Sequence, residues 1–151
     1  MAAHNELGKW GEQIATDYFK SLGWQILHND WQYKHKDIDI VCYDSENKII
    51  VFVEVKTRST SKWGEPYEAI NLQKKVNIID TATAYLHKYN LFGKEWRYDS
   101  ISIIGTPETS HTLEHNKNIT NVLDKFNHSN KNRYKRKNNG TWGSMRWGRG
   151  Y

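Results

Sequence analysis

The amino-acid sequence predicts an α/β fold in which a mixed β-sheet is flanked by helices. Two observations support this class. Apolar residues recur at helical spacing in two separate segments, and short runs rich in Val, Ile and Trp have the composition and alternation typical of strands. The elements follow in the order helix, three strands, helix, strand. A chain of 151 residues fits one domain of this kind, with a 13% aromatic content for its core.

The first predicted element is a helix over residues 4–22. Apolar and small residues recur every three or four positions and share one face: Leu7, Gly11, Ile14, Tyr18 and Leu22. Gly23 follows directly, and glycine in this position typically ends a helix.

Three strands are predicted next, over 24–28, from about Asp37 onward, and over 48–56, with a polar loop over 29–36. Residues 44–47, Asp-Ser-Glu-Asn, have the composition of a tight turn. The second and third strands should therefore form an antiparallel hairpin.

A second helix is predicted over 67–89, with Pro66 suited to its first turn. Its inward-facing residues should be Ile70, Ile78, Ala82 and Tyr85. A fourth strand follows over 96–104, then a weaker fifth element over 112–119 and a helical turn over 121–126.

The positive charge is concentrated at one end of the chain. There are 22 Lys and Arg against 17 Asp and Glu, and seven of the basic residues but no acidic one lie in 128–151. We therefore predict a domain over 1–127 and a flexible basic tail over 128–151. Two interpretations of the tail stay open: it binds unpaired bases and phosphates, or it is a solvated extension that aids solubility.

Several classes of protein are excluded at this stage. No apolar run approaches the ~20 residues of a membrane-spanning helix, and the first residues lack the pattern of a secretion signal. The expected location is the cytoplasm, with no membrane partner. Cys42, the single cysteine, cannot form an internal disulfide or a multi-thiolate zinc site.

Charged side chains meet across the predicted hairpin. A turn centred between residues 46 and 47 sets Asp39 opposite Glu54 and Asp37 opposite Lys56. Opposed carboxylates repel, and a divalent cation would relieve this repulsion. The oxygen ligands suit Mg²⁺ or Mn²⁺, with Lys56 placed to position a water or stabilise a phosphate. A cross-strand ion pair of Asp37 with Lys56, beside two solvated carboxylates, explains these residues equally well.

Alternation along the second strand assigns its residues to the two faces of the sheet. Asp37 and Asp39 should share one face, and Ile38 and Ile40 the other. The charged groups are therefore expected to converge on one side of the hairpin.

Glu12, on the first helix, favours a site over a simple ion pair. Its helical neighbours Gly8 and Ala15 are small, as is the adjacent Gly11, so another backbone or a substrate can approach its carboxylate. Packing of the helix on the sheet through the two glycines is an alternative, and it is compatible with Glu12 at the margin of a site.

The order of these residues resembles a known superfamily. Glu12, Asp39 and the string Glu54-Val55-Lys56 are similar to the acid, Asp and Glu-x-Lys pattern of the PD-(D/E)xK, or restriction-endonuclease-like, nucleases. The isolated Glu-x-Lys is weak evidence, but the complete order is more specific.

The resemblance narrows to the YraN-like family of uncharacterised predicted endonucleases and covers residues 4–127. The segments that carry it are 8–12 (Gly-Lys-Trp-Gly-Glu), 37–40 (Asp-Ile-Asp-Ile) and 51–58 (Val-Phe-Val-Glu-Val-Lys-Thr-Arg). The chain departs from the family at 36–37, where Lys-Asp stands in place of the usual Gly-Glu.

The resemblance implies an αβββαβ core and magnesium-dependent cleavage of phosphodiester bonds. It further implies that Asp39 and Glu54 are metal ligands, that Lys56 is catalytic, and that Glu12 is an auxiliary acid. Because the superfamily includes Holliday-junction resolvases, branched DNA is a substrate suggested by analogy.

Basic residues near this set are candidate contacts to nucleic acid. Arg58 and Lys62 follow the proposed catalytic lysine and suit phosphate binding, and Lys74 and Lys75 lie on the second predicted helix. A solvated helical face explains Lys74 and Lys75 equally well.

Two further pairs have simpler structural explanations. His111 and His115 are spaced four apart in a strand-like segment without a third ligand, and are expected to be surface residues. Asp99 shares a strand face with Arg97, which predicts an ion pair.

The function predicted from the sequence is a metal-dependent DNA endonuclease, and the analogy with junction resolvases suggests selectivity for branched or junction DNA. A homodimer would be required to resolve a symmetric junction. The alternatives are a non-catalytic nucleic-acid-binding module on the same fold and a protein-interaction adaptor.

Overall fold

The computed structural model describes residues 2–60 and 72–119. Within this part of the chain there are two helices and five strands. They are α1 (Ala2–Ser21), β1 (Gln25–Tyr33), β2 (Lys36–Asp44), β3 (Ile49–Arg58), α2 (Leu72–Lys88), β4 (Glu95–Ile104) and β5 (Thr112–Asn116). The predicted helical turn over 121–126 and the basic tail over 128–151 lie outside the described residues.

The five strands form one mixed sheet in the order β1-β2-β3-β4-β5. β1, β2 and β3 pair antiparallel, β4 pairs parallel with β3, and β5 pairs antiparallel with β4. A parallel pair requires a crossover connection, and α2 lies within it. The predicted mixed sheet with flanking helices is confirmed, and its element order agrees with an αβββαβ core followed by an edge strand.

One hydrophobic core lies between the sheet and α2. The helix contributes Ile78, Ala82 and Tyr85, as the spacing of its apolar residues predicts. The sheet contributes Trp31, Ile38, Val41, Ile50, Phe52, Trp96 and Tyr98. Burial of these large side chains holds α2 across the ends of the strands that carry the charged residues.

A second core lies on the opposite face, under α1. Ala15 and Phe19 of the helix pack against Ile40, Cys42, Val51, Val53, Ile101 and Ile103. At the middle of the helix, a Cβ on Gly11 would overlap the side chain of Thr57 on β3. The absence of a side chain at Gly11 thus permits a close approach of α1 to β3.

The register of the central hairpin agrees with the prediction. The ladder of β2 and β3 runs from Asp44 opposite Ile49 to Ile40 opposite Val53. The tight turn fixes this register. The side chain of Asp44 caps the turn by accepting hydrogen bonds from the backbone N–H groups of residues 46 and 47.

The prediction that Ile38 and Ile40 share a face is wrong. Ile38 belongs to the core under α2 and Ile40 to the core under α1. The neighbouring strand changes face at the same level, because Asp30 of β1 has a φ of 49° and interrupts the normal alternation. Trp31 then faces α2, whereas Asn29 contacts α1 through a hydrogen bond to Thr16.

β1 is longer than predicted and includes most of the segment expected to be a loop. It continues through Tyr33, and a tight turn with Lys34 at a φ of 54° connects it to β2. The polar composition of 29–36 is compatible with an edge strand, whose outer side is not covered by any other strand of the described residues. Among the described residues, no helix has the length and apolar character needed to cross a membrane.

Candidate active site

The candidate site lies where β2 and β3 stop pairing. The ladder ends at Ile40 and Val53, and the predicted direct pair of Asp39 with Glu54 lies beyond it. Instead, the backbone N–H of Val55 donates a hydrogen bond of 2.7 Å to Oδ2 of Asp39. The Asp39 carboxylate therefore bridges the two strands at the point where they separate.

The environment of Asp39 disfavours its ionised form. Burial raises the pKa of Asp39 to about 7, and the negative charges of Glu12, Asp37 and Glu54 contribute to this increase. The hydrogen bond from Val55 acts in the opposite direction. The carboxylates of Glu12, Asp37 and Glu54 thus each repel the ionised form of Asp39. Asp39, Glu12 and Glu54 are the three acids that the sequence predicts for the site.

Glu12 approaches this group from α1. Burial raises the pKa of Glu12, with further increases from Asp30 and Asp37 and a small opposing effect of Lys9. The close packing of α1 on β3 carries the carboxylate toward the end of the hairpin. One helical turn earlier, a Cβ on Gly8 would meet no atom within 4 Å of it, so the helix surface beside Glu12 is open.

Glu54 approaches the site from the opposite face of the sheet and is paired with two lysines. Its Oε1 lies 3.1 Å from Nζ of Lys74 on α2 and 3.8 Å from Nζ of Lys56 on β3. The sequence suggested Asp37 as the partner of Lys56, whereas the structure pairs Lys56 with Glu54. The contact of Lys74 with Glu54 was not predicted, because the sequence does not specify how the crossover helix lies over β3.

A cavity of about 230 Å³ adjoins Glu54 on the α2 side of the sheet. The residues that line it are His35, Lys36, Asp37, Ile38, Glu54, Lys74, Asn77, Ile78, Thr81 and Tyr98. Strand alternation places Tyr98 under α2, but nothing in the sequence indicates that it borders a cavity. The cavity and the separated ends of the hairpin together form the candidate active site.

The other predicted contacts to nucleic acid are placed as follows. Arg58 is the last residue of β3, and Lys75 is the neighbour of Lys74 on α2. Lys62 lies outside the described residues.

The chemistry of the site fits a hard divalent cation. Asp39 and Glu54 supply carboxylate oxygens, and the crowding of negative charge around Asp39 would be relieved by a cation. In residues 2–60 and 72–119, no group of three or more His, Cys, Asp or Glu side chains is arranged to hold a metal ion.

A second polar cluster is buried at the β4–β5 edge of the sheet. Asp99 is fully buried and accepts hydrogen bonds from Nε of Arg97 at 3.0 Å, Nε2 of His115 at 2.8 Å and the backbone N–H of Asn118 at 2.9 Å. The other ring nitrogen of His115 lies 3.0 Å from the hydroxyl of Tyr18 on α1. The cluster links β4, β5 and α1, which indicates a structural role.

This cluster confirms one expectation and corrects another. The predicted ion pair of Arg97 with Asp99 is present. His115 is not a surface residue, since its side chain is 6% exposed, whereas His111 is exposed. The spacing of the two histidines gave no indication of the aromatic rings that surround His115, namely Tyr18, Phe19 and Trp24.

The chain is similar to proteins from several bacteria. It is 39% identical over 115 residues to a UPF0102 protein of Phocaeicola vulgatus, an alignment that covers 76% of this chain and 92% of the relative. A UPF0102 protein of Bacteroides thetaiotaomicron is 40% identical over 105 residues, covering 70% and 84%. A third, from Myxococcus xanthus, is 31% identical over 114 residues, covering 76% and 88%.

The model of the uncharacterised protein family UPF0102 matches residues 11–103. The matched segment includes Glu12, the complete β2–β3 hairpin and α2, and therefore all of the described residues of the candidate site. This chain belongs to UPF0102, the YraN family.

Proposed function

We propose that the protein is a metal-dependent endonuclease that hydrolyses phosphodiester bonds in DNA and belongs to the PD-(D/E)xK superfamily. The observation that supports this proposal most strongly is the position of Asp39. Its carboxylate is held by the backbone N–H of Val55 at the point where two strands separate, with Glu12 and Glu54 close enough to raise its pKa. Perturbed carboxylates of this kind are concentrated at functional sites.

Asp39 and Glu54 would hold Mg²⁺ or Mn²⁺ in this proposal. Such a cation, when bound, polarises a phosphate and lowers the pKa of a water molecule. Asp39 contributes an oxygen fixed by Val55, and Glu54 contributes one that Lys56 and Lys74 orient through their contacts. The two carboxylates therefore have defined directions before any ligand arrives, which lowers the cost of binding it.

The remaining residues have distinct roles. Lys56 places a positive charge beside Glu54, where it stabilises the charge that develops on the phosphate. Glu12, with its raised pKa, orients the attacking water or accepts its proton. Arg58, Lys62 and Lys75 bind flanking phosphates, and Lys74 does so from its position next to Glu54.

The proposed setting is cytoplasmic, and the proposed partner is DNA. Branched or junction substrates and a homodimer follow from the superfamily analogy and form part of the proposal. A non-catalytic DNA-binding module is the alternative outcome. It would give salt-sensitive binding that persists after Asp39→Ala, with no metal-dependent product, because neutralising phosphates needs no carboxylates.

The test is a nuclease assay with linear, single-stranded, flapped and four-way DNA in the presence of Mg²⁺ or Mn²⁺. We expect the wild type to cut at least one of these substrates, and Lys56→Ala to cut it about a hundredfold or more slowly. Lys20→Ala, an exposed lysine in the last turn of α1, is the matched control and should cut normally. Equal cutting by wild type and Lys56→Ala would refute the assigned role of Lys56.

A further inference from the structure

The cavity beside Glu54 has a size that limits what it can hold. At about 230 Å³ it is smaller than the roughly 300–1,000 Å³ of pockets for drug-sized ligands. It is also several times larger than the roughly 30 Å³ that one water molecule occupies in the liquid. An occupant of one planar ring system fits this space.

The lining of the cavity combines apolar surfaces with a few polar groups. Ile38 and Ile78, both buried, belong to the core that forms its inner part. Asn77 and Thr81 lie one turn apart on α2 and contribute an amide and a hydroxyl. This mixture is typical of sites that bind a flat ligand by contact and fix its orientation by hydrogen bonds.

Tyr98 adds a phenol to the lining of the cavity. It is 5% exposed, and no hydrogen bond joins its hydroxyl to another described residue. The hydroxyl is not among the buried polar atoms of the described residues that lack a partner, so solvent in the cavity reaches it. By comparison, the hydroxyl of Thr81 donates to the backbone carbonyl of Asn77 at 2.7 Å. The Tyr98 hydroxyl is therefore available to bind a group inside the cavity.

The charges around the cavity favour a neutral occupant over an anion. Asp37 and Glu54 line it together with Lys36 and Lys74, so the charges of the two signs balance and no excess positive charge would hold a phosphate or carboxylate in the interior. Lys74 contacts Glu54, and Lys36 contacts Asp80. A neutral ring with donors and acceptors on its edge satisfies the apolar walls, the amide and the phenol together.

We propose that this cavity binds a single nucleobase, turned out of the DNA strand whose phosphate lies at Glu54. This inference rests on the proposed nuclease function and specifies its substrate class. Withdrawing a paired base from a duplex costs a few kcal/mol, and this cost is smallest for a base that is already unpaired. The preferred substrate is therefore DNA with an unpaired nucleotide next to the cleaved bond.

The test measures binding without cleavage. Full-length protein carrying Lys56→Ala is titrated in EDTA against duplexes that contain 2-aminopurine, either unpaired or paired with thymine. We expect a saturable fluorescence change for the unpaired probe and none for the paired one. Free 2-aminopurine riboside forms a third arm: equally tight binding of the riboside would support the cavity as a base site and overturn DNA as the source of the base.

Two substitutions in the same background decide whether the cavity is responsible. Asn77→Phe fills the cavity and should abolish the signal, whereas Val76→Phe adds the same ring at an exposed neighbouring position and should preserve it. Tyr98→Phe removes one hydroxyl oxygen and should weaken binding about tenfold if this hydroxyl binds the base. If Asn77→Phe does not fold, the fluorescence titration of Tyr98→Phe tests the cavity in its place.

The outcomes separate this inference from the proposed function. Unchanged binding in Tyr98→Phe and in folded Asn77→Phe, equal signals from both duplexes, or no signal at all would overturn the cavity as a base site. Failure of the wild type to cut any DNA with Mg²⁺ or Mn²⁺ would overturn the nuclease proposal instead. The fluorescence titration would still decide the cavity, since it requires neither a metal nor cleavage.

Discussion

At the scale of single residues, the position of Asp39 lowers the stability of the folded protein, and the same position supports the chemistry that we propose. Its carboxylate is held close to Glu12 and Glu54, although each of these negative charges makes ionisation less favourable. Only a hydrogen bond from Val55 favours the charged form among the effects on Asp39 that the described residues produce. Carboxylates whose ionisation is made unfavourable in this way are typical of sites that bind a cation or move a proton.

The first prediction is that Asp39→Asn stabilises the metal-free protein above neutral pH. The pKa of Asp39 is about 7 in the folded state against an ordinary value of 3.8. Because the folded state binds this proton more tightly, wild-type stability falls as pH rises from 3.8 through 7 and is constant above that range. Asparagine does not ionise, and its side-chain oxygen can still accept the hydrogen bond of Val55.

Urea unfolding in EDTA tests this prediction. At pH 8, Asp39→Asn should raise the free energy of unfolding by about 1–3 kcal/mol, and at pH 4 the two proteins should differ little. Asp17→Asn, at an exposed position on α1, is the control. An Asp39→Asn protein that is less stable than wild type at pH 8 would contradict the burial and charge crowding described for Asp39.

The sequence indicated which charged residues lie near one another in the candidate site but not their contacts. Asp39, Glu54 and Lys56 were predictable because the turn sets the hairpin register, and this register is correct up to Ile40. The side-chain bond of Asp39 to Val55 was not predictable, since it replaces the regular ladder. Tyr98 was not singled out from the sequence, because it lines a cavity that exists only after α2 has packed on the sheet.

At the scale of secondary-structure elements, the glycines of α1 have different roles. Gly11 faces β3, where a Cβ would overlap Thr57, whereas a Cβ on Gly8 would lie in open space. In the sequence, packing of the helix on the sheet was an alternative explanation for both glycines. The structure assigns this role to Gly11 and leaves Gly8 at the surface beside Glu12.

The second prediction follows from this difference. Gly11→Ala should lower the free energy of unfolding by about 1–3 kcal/mol, because α1 or Thr57 must move to admit the methyl group. Gly8→Ala should raise it by up to about 1 kcal/mol, because alanine favours the helix and meets no neighbour. Thermal unfolding of both proteins provides the measurement. Equal effects of the two substitutions would be inconsistent with the described packing of α1.

The third prediction concerns the attachment of β5. Asp99→Asn would remove the buried negative charge opposite Arg97 and His115 and one of its two acceptor oxygens, and should cost about 3 kcal/mol of stability. Asp80→Asn, which removes an exposed ion pair with Lys36, should cost less than about 1 kcal/mol. Hydrogen exchange of the β5 amides should become faster in Asp99→Asn. Unchanged exchange there would show that the cluster does not hold the edge strand.

The strand predictions failed for a local reason. β1 was expected to end at residue 28, because the polar residues that follow it are typical of loops. Its continuation depends on Asp30 and Lys34, two non-glycine residues with positive φ, which composition does not reveal. At the level of Asp30, Ile38 and Ile40 of the neighbouring β2 lie on opposite faces of the sheet.

At the scale of the whole molecule, the fold was predictable because its elements are strongly patterned. Two amphipathic helices and a hairpin with a clear turn determine the mixed sheet, and the family match to residues 11–103 covers the same elements. The pattern of apolar residues does not indicate the function in the same way. Establishing the function therefore requires experiments at the candidate site, whereas the fold class follows from the pattern.

The fourth prediction is that divalent cations stabilise the folded protein. Mg²⁺ or Mn²⁺ at 100 times its Kd should raise the free energy of unfolding by about 2.7 kcal/mol and should raise Tm accordingly. The increase should grow as pH rises through 7, because the cation and a proton compete for Asp39. Asp39→Asn should greatly reduce the increase and Asp17→Asn should not. Identical shifts in all three proteins would place the cation elsewhere.

The two acids that flank Asp39 come from different layers of the molecule. Glu12 is carried by α1 on one face of the sheet, and Glu54 is turned toward α2 on the other. The candidate site thus extends through the sheet where its strands part, instead of lying on either surface. An excised hairpin would retain Asp39, Glu54 and Lys56 but would lack Glu12 of α1 and the lysine of α2, Lys74, that contacts Glu54.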